Sequence, residues 1–415
     1  MSTATAPPRL ITLNDYVPLL GAPEIDDLRW LAERLRGRSV EMVNSTAMGG
    51  GVAEILNRVI PIMQELGLGI RWEVMTGGND FFAITKAFHN ALHGGAYESR
   101  PENFATFLAN NEANQSHLNL DAEFVVIHDP QPVALINARR NHSDHWIWRC
   151  HIDLSSPNPD VWNFLEPFVT RYDGTLFSSP DFTRQLSIPQ YLFYPSIDPL
   201  SDKNRDLDAE YVQKVLERFS IDRTRPILTQ ISRFDYLKDP IGVVKAYQIV
   251  KRYMDCQLVL AGGGAVDDPE GGAVLEEVRG VAKDDPDIHI LDLPPWSALE
   301  INALQRASTV IIQKSLREGF GLTVTEALWK KKPIVASAVG GIPTQVIHKH
   351  TGLLAHSIEG TAYQIRLLLS NPAMAQKLAE QGHEHVREHF LITSNVKRYL
   401  TLFCHLLGQS AALEK

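Results

Sequence analysis

The sequence predicts an α/β protein built as two Rossmann-like domains, each a parallel sheet covered by helices, facing each other across a cleft. Three observations predict it. Short apolar runs alternate with helical segments along nearly the whole chain. Those runs are continuously apolar rather than alternating, the pattern of strands buried on both faces. The series restarts after a proline-bearing stretch near the middle, and 415 residues suit two or three domains that each bury a core.

Met1 to Pro8 is small and polar and is expected to be disordered. Asp15 to Gly21 reads as a short extended piece and Glu24 to Arg36 as an amphipathic helix. Ser39 to Val43 is the first clear strand. It runs into Asn44-Ser45-Thr46-Ala47-Met48-Gly49-Gly50-Gly51 and then a helix from Val52 to Leu66. This opens a βαβ unit without the G-x-G-x-x-G spacing of a dinucleotide site. The glycine loop reads equally as a flexible turn or as a loop whose N–H groups face a ligand. Further strands are expected over Ile70 to Met75, Glu123 to Ile127, Trp146 to His151 and Tyr172 to Phe177, with helices near Phe81 to His93 and Pro101 to Asn110. Tyr194-Pro195-Ser196-Ile197-Asp198-Pro199-Leu200 reads as a stiff, extended linker. The second series has strands at Ile227 to Ile231, Gln257 to Ala261, Asp287 to Leu291, Thr309 to Ile312 and Pro333 to Ala336. Helices at Thr361 to Leu369, Met374 to His389 and Val396 to Leu407 close the chain.

Composition excludes several classes. Hydrophobic content of 44% and charged content of 21% are those of an ordinary globular protein. A net charge of −9 argues against non-specific binding to nucleic acid or an anionic membrane. An anionic substrate would therefore need a local basic cluster. Cys150, Cys256 and Cys404 are far apart and form neither a disulfide framework nor a metal spacing, which fits a cytoplasmic location. No apolar run approaches 20 residues and no signal peptide is visible. Asp206-x-Asp208 and Asp285-x-Asp287 read as loop charges, and His142, His145 and His151 lack a zinc spacing, so no metal site is expected.

In open parallel sheets ligands bind beyond the carboxyl ends of strands. His128, Asp129, His151 and Asp153 all stand at such ends. One histidine there is ordinarily structural, but two His/Asp clusters point to a site. Arg233 and Lys238 follow another strand end, where a guanidinium fork and a mobile ammonium suit a diphosphate. The most informative stretch is Glu318-Gly319-Phe320-Gly321-Leu322-Thr323-Val324-Thr325-Glu326. Its glycines let a backbone approach a ligand, and the N–H groups of the helix start favour a phosphate. Glu318 and Glu326 are separated by up to ~12 Å of helical rise, so they cannot share a proton or a metal. They can hold two ends of a long, hydroxyl-rich ligand. The plain alternative is a capping box, Thr323-x-x-Glu326, beside a surface Glu318. Gly262-Gly263-Gly264 reads as a plain turn, and Gly340-Gly341 is expected to face the base or ribose of a nucleotide.

E-G-F-G-L-T-V-T-E resembles the E-x7-E motif of the family-four retaining glycosyltransferases, which have the GT-B fold. S-R-F-D-x-x-K-D, from Ser232, is similar to that family's second motif. I-H-D-P-Q-P, W-R-C-H-I-D-L-S and Y-P-S-I-D-P-L-S narrow the resemblance to the trehalose glycosyltransferring synthases. It covers the chain from about Leu10 to the final helix.

The resemblance implies transfer of glucose from a nucleoside diphosphate glucose to glucose, giving trehalose. His151, Arg233, Lys238 and Glu318 would be catalytic. Gly50, Gly51, Arg233, Lys238, Gly319, Phe320, Gly321, Leu322, Thr323 and Glu326 would bind the donor, UDP-glucose or ADP-glucose among the options, and Asp129 and Asp153 the acceptor. Residues 1–195 would form the acceptor-side domain and 196–395 the nucleotide-sugar domain, with the last helix, about 396–415, packing back on the first. No cofactor is expected to be required, with Mg2+ at most stimulatory, and a homodimer stays open. The alternatives are a retaining trehalose phosphorylase, another family-four transferase, a sugar-nucleotide epimerase and a non-catalytic nucleotide-sugar-binding protein.

Overall fold

The computed structural model describes residues 11–47, 50–141, 143–263, 269–283 and 285–413. Met1 to Pro8, Met48, Gly49, His142 and Gly264, which entered the sequence reading, lie outside the described residues. The chain forms two six-stranded sheets. The first holds β1 (Ser39–Asn44), β2 (Gly69–Val74), β3 (Phe124–His128), β4 (His145–Arg149), β5 (Gly174–Phe177) and β6 (Gln190–Leu192), in the order β2-β1-β3-β4-β5-β6. The second holds β7 (Ile227–Ile231), β8 (Gln257–Gly262), β9 (Ile288–Asp292), β10 (Val310–Gln313), β11 (Ile334–Ser337) and β12 (Leu353–Ala355), in the order β12-β11-β10-β7-β8-β9. The pairings are parallel throughout both sheets.

Burial on both faces explains the continuous apolar runs. Met42, Phe124, Val126, Ile147 and Leu176 point to one core of the first sheet. Val43, Val125, Ile127, Trp148 and Phe177 point to the other. Period-two alternation along each strand thus sends an apolar side chain to each core in turn.

The strand orders place the ligand crevices. In the first sheet the chain leaves β1 outward to β2 and then returns to the other side of β1 as β3. In the second it leaves β7 toward β8 and β9 and returns as β10. Each reversal opens a gap at the carboxyl ends of two neighbouring strands, where a ligand can enter. The four ends concerned are those of β1, β3, β7 and β10.

The linker is extended but tied down. Ile197 N–H donates to the Phe390 carbonyl at 2.9 Å, and Ile392 N–H donates back to the Ile197 carbonyl at 2.9 Å. The two chain crossings between the sheets therefore run side by side. Asp198 accepts from Tyr16 Oη at 3.0 Å and lies 2.6 Å from Arg58 Nε. The last helix, Ile392–Leu413, packs its Val396, Tyr399, Leu400, Phe403 and Leu406 against the first sheet.

Some local expectations differ from the structure. Leu13–Tyr16 and Val17–Leu20 are helical turns rather than an extended piece, because Asp15 accepts from the Thr12 N–H at 2.8 Å and Pro18 suits a helix start. β6 and β12 have three residues each and left no apolar run to read. Asp287 is more than a loop charge, since it pairs with Arg225 at 2.5 Å and Lys251 at 2.6 Å. No helix among the described residues is long and apolar enough to cross a membrane.

The docking of the last helix carries a stability prediction. The Phe403 ring is fully buried, 4.5 Å from the Phe124 ring. Phe403→Ala leaves a cavity in that core and should cost about 3–5 kcal/mol in denaturant unfolding. A loss below about 1 kcal/mol would mean that the helix is not part of that core.

Candidate active site

The two crevices face one another and enclose a cleft of about 830 Å³. From the second sheet, β7 ends in Ser232 and Arg233. Asp235 then accepts from the Leu237 N–H at 2.7 Å and turns the chain through one 3-10 turn, Tyr236–Lys238. Asp239 takes a left-handed conformation, φ 44°, and caps helix Pro240–Lys251 by accepting from the Gly242 N–H at 2.9 Å. That sharp reversal aims Lys238 into the cleft. Its Nζ stands 2.7 Å from Glu318 Oε2, which also accepts from Ser315 Oγ at 3.0 Å. Lys238 therefore faces a carboxylate, while the Arg233 side chain is half exposed and lies 3.3 Å from Asp235.

Beyond β10, the Glu318 turn is held by backbone contacts. A Cβ on Gly319 would stand 2.3 Å from the carbonyl oxygen of His151, a residue of the opposite half. Gly321, φ 85°, starts helix Leu322–Trp329. Thr323 Oγ1 donates to Gln313 Oε1 at 2.9 Å, so the capping-box reading is not the one adopted. Gly340 and Gly341 do not line the cleft. They pack beneath the turn, where a Cβ on Gly340 would lie 1.7 Å from the Glu318 carbonyl oxygen. Their expected place against a base or ribose is corrected accordingly.

Glu326 lines the cleft with its carboxylate almost wholly buried, 1% exposed. Its Oε2 accepts from Gln305 at 3.1 Å, and Lys203 lies 3.5 Å from Oε1. Lys203 also pairs at 2.8 Å with Glu54 of helix Gly50–Glu65, which belongs to the first half. Behind them Lys330 donates to Gln305 Oε1 at 2.7 Å, and burial pushes its ammonium down to about 7.

The facing wall is built from the ends of β1, β3 and β4. Gly50 and Gly51 line it, and a Cβ on Gly51 would touch Leu322 at 3.0 Å. Asp129 takes φ 67°, and its Oδ1 accepts from the His151 N–H at 2.8 Å. Burial pushes its carboxyl up to about 6, partly offset by that hydrogen bond and by Arg149. Burial and then Arg149 hold the His151 imidazole well below its ordinary range, so the ring is neutral. Asp153 is not on the wall. It is buried, its Oδ1 closing a turn by accepting from the Ser155 N–H at 2.9 Å.

Apart from Asp153, Gly340, Gly341 and His128, which is buried behind His151, the residues singled out from the sequence as site candidates line this one cleft. Sequence reading missed one wall entirely. Helix Asn79–Leu92 contributes Thr85, Lys86, His89 and Asn90, followed by His93, and Arg317 reaches in from the other side. Burial pushes His89 down to about 3 and His93 to about 4, with Lys238 and Arg317 adding to the latter. The available signal was a polar stripe, Lys86-x-x-His89-Asn90-x-x-His93, on one face of a helix. No group of three or more metal-ligating side chains occurs among the described residues.

Basic groups, buried carboxylates and neutral imidazoles thus meet across a gap closed by backbone at Gly319. Gly319→Ala should keep the helical content of the protein but wedge the halves apart, because the new methyl would meet main chain rather than a flexible side chain. Small-angle scattering should report a larger radius of gyration, and an unchanged radius would mean that the turn yields locally.

The comparisons agree with this geometry. Residues 42–184 match the family description "Trehalose synthase, N-terminal domain", and 213–385 match "Glycosyl transferases group 1". A trehalose synthase of Pyrococcus horikoshii is 42% identical, over 95% of this chain and 97% of that protein. One from Rubrobacter xylanophilus is 41% identical, again over 95% and 97%. The sucrose-phosphate synthase structure from Thermosynechococcus elongatus superposes with a TM-score of 0.69, covering 90% of this chain and 100% of that one, at 16% identity. That likeness is one of fold. With two parallel sheets, a shared cleft and relatives matched almost end to end, this chain belongs to the trehalose synthase family of GT-B glycosyltransferases.

Proposed function

We propose that this chain transfers glucose from a nucleoside diphosphate glucose to free glucose, with retention at the anomeric carbon, to give trehalose. The observation that carries the reading is the meeting of the Glu318–Gly319 turn with the His151 carbonyl, beside Lys238 and Arg233. It puts cationic groups for a leaving diphosphate next to a backbone carbonyl that can face a developing oxocarbenium.

In this mechanism the bond from C1 to the diphosphate oxygen breaks, and the acceptor hydroxyl forms its bond to C1 on the same face. The hydroxyl proton passes to the leaving phosphate. Arg233, Lys238 and the N–H groups after Gly319 are preorganised for the charge that grows there. No carboxylate nucleophile is needed, unlike the paired-carboxylate route of retaining hydrolases. Glu318 steadies Lys238 and meets the donor sugar, and Glu326 binds ribose hydroxyls. Asp129 accepts from the acceptor sugar while holding the His151 main chain.

The test is a panel of nucleoside diphosphate glucoses incubated with glucose, the product read by anomeric proton couplings. The reading predicts a disaccharide with both anomeric centres α and one nucleoside diphosphate released per turnover. Product formed only with a glucose 1-phosphate donor would make the chain a phosphorylase instead.

Two further outcomes are expected. Glu326→Ala removes a carboxylate from two ribose hydroxyls. At ~1.5–3 kcal/mol for a charged hydrogen bond, donor affinity by calorimetry should fall roughly ten- to a hundredfold. Unchanged affinity would remove the ribose assignment.

The second concerns pH. Because the Asp129 carboxyl is raised to about 6, the form lost on acidification is the carboxylate. Transfer to glucose should therefore fall through an acid limb near pH 6. Asp129→Asn should abolish that limb and depress transfer while sparing slow hydrolysis of the donor. An unaltered limb in the variant would assign it to another group.

A further inference from the structure

Arg149 closes β4, two residues before His151, and is 2% exposed. Among the described residues no carboxylate hydrogen-bonds to it, and the Tyr399 hydroxyl is its main polar neighbour besides Phe193 and His151. Its Nη2 reaches the Phe193 carbonyl at 3.4 Å. Its guanidinium instead lies over two aromatic rings, 4.6 Å from the centroid of Phe193 and 5.6 Å from that of Tyr399 on the last helix. A buried guanidinium without a bonded carboxylate is costly and calls for a reason.

The reason lies in its remaining donor. Arg149 Nε stands 3.1 Å from His151 Nε2. A guanidinium only donates, so this imidazole nitrogen accepts and carries no proton. His128 Nδ1 approaches the same nitrogen at 3.1 Å, with the two rings stacked at 13°. A neutral imidazole has one N–H, and here it must be on Nδ1. His151 lines the cleft, so Nδ1–H is the polar group its ring has left for a ligand.

We propose that Arg149 is a positioning residue that fixes His151 as the Nδ1–H tautomer, so that the ring offers a donor, and not an acceptor, to a hydroxyl of the reacting sugar. The inference rests on the assignment of His151 to the donor sugar made above. Tyr399 and Phe193 keep water from the guanidinium, which gives the crossing of the last helix a chemical purpose besides packing.

The test uses the full chain with 15N-labelled histidine, His151 being assigned by comparison with His151→Gln. In the unaltered protein the two His151 nitrogens should show Nδ1 protonated and Nε2 bare between pH 6 and 8. Arg149→Met keeps the length and removes the donor. It should shift the ring toward the Nε2–H tautomer and lower kcat at least tenfold with little change in donor KM. Phe193→Leu loosens the packing around the guanidinium but leaves the donor in place, and should leave the tautomer as it was. If Arg149→Met fails to fold, Arg149→Lys is measured in the same way, since its ammonium cannot occupy the Nε position. An unchanged tautomer in the Arg149 variant overturns the proposal whatever the rate does. A changed tautomer with unchanged kcat also overturns it, and traces the error to the role given to His151. If the protein makes no trehalose from any nucleoside diphosphate glucose, the tautomer measurement still decides what Arg149 does to the ring.

Discussion

The contact on which the rest depends is between two pieces of backbone. The turn after β10 presses Gly319 against the carbonyl of His151, at the end of β4 in the other half. No side chain larger than hydrogen fits there. Around this contact the topology does the assembly. Strand-order reversals open a gap in each sheet, and the paired crossings at Ile197 and Leu391 hold the gaps toward each other. Asp129, His151, Arg233, Lys238 and Glu318 each stand a few residues beyond a strand end, so their positions are inherited from a buried sheet.

Electrostatics work locally against the overall charge. The chain carries −9, yet one side of the cleft presents Arg233, Lys238 and Arg317. His89 and His93 are kept neutral chiefly by burial with help from those cations, and His151 by burial and then Arg149. Neutral imidazoles add hydrogen-bonding capacity without attracting a further anion. The carboxylates are each committed: Glu318 to Lys238, Glu326 to Gln305 and Lys203, and Asp129 to a backbone N–H. A ligand bearing phosphates and many hydroxyls would enter a site whose polar groups are already oriented, which lowers the reorganisation needed during reaction.

The fold class was legible because strands buried on both faces cannot alternate polar and apolar residues. β6 and β12 were not, since three residues carry no period. Strand-end residues such as Asp129, His151, Arg233 and Glu318 could be singled out because a turn interrupts an apolar run just there. Lys86, His89, Asn90 and His93 could not, because a polar stripe within a helix looks the same whether it faces water or a cleft, and only tertiary packing decides. Asp153 and Gly340 show the opposite failure. Both stand at strand ends with suggestive chemistry, but one closes a turn and the other makes room for the Glu318 carbonyl. Arg149 falls inside the expected strand Trp146 to His151, and its role was not legible there because one of the rings over its guanidinium comes from a helix about 250 positions further along the chain.

The account's central claim is that this cleft stabilises a sugar cation between a backbone carbonyl and a departing diphosphate, without a covalent intermediate. Single-turnover transfer from a donor carrying deuterium at C1 measures this most directly. A cation-like transition state loosens the C1–H bending modes, so the account predicts slower transfer from the deuterated donor together with retention at C1. Equal rates, or a hexosyl adduct on a carboxylate of the quenched protein, would contradict it.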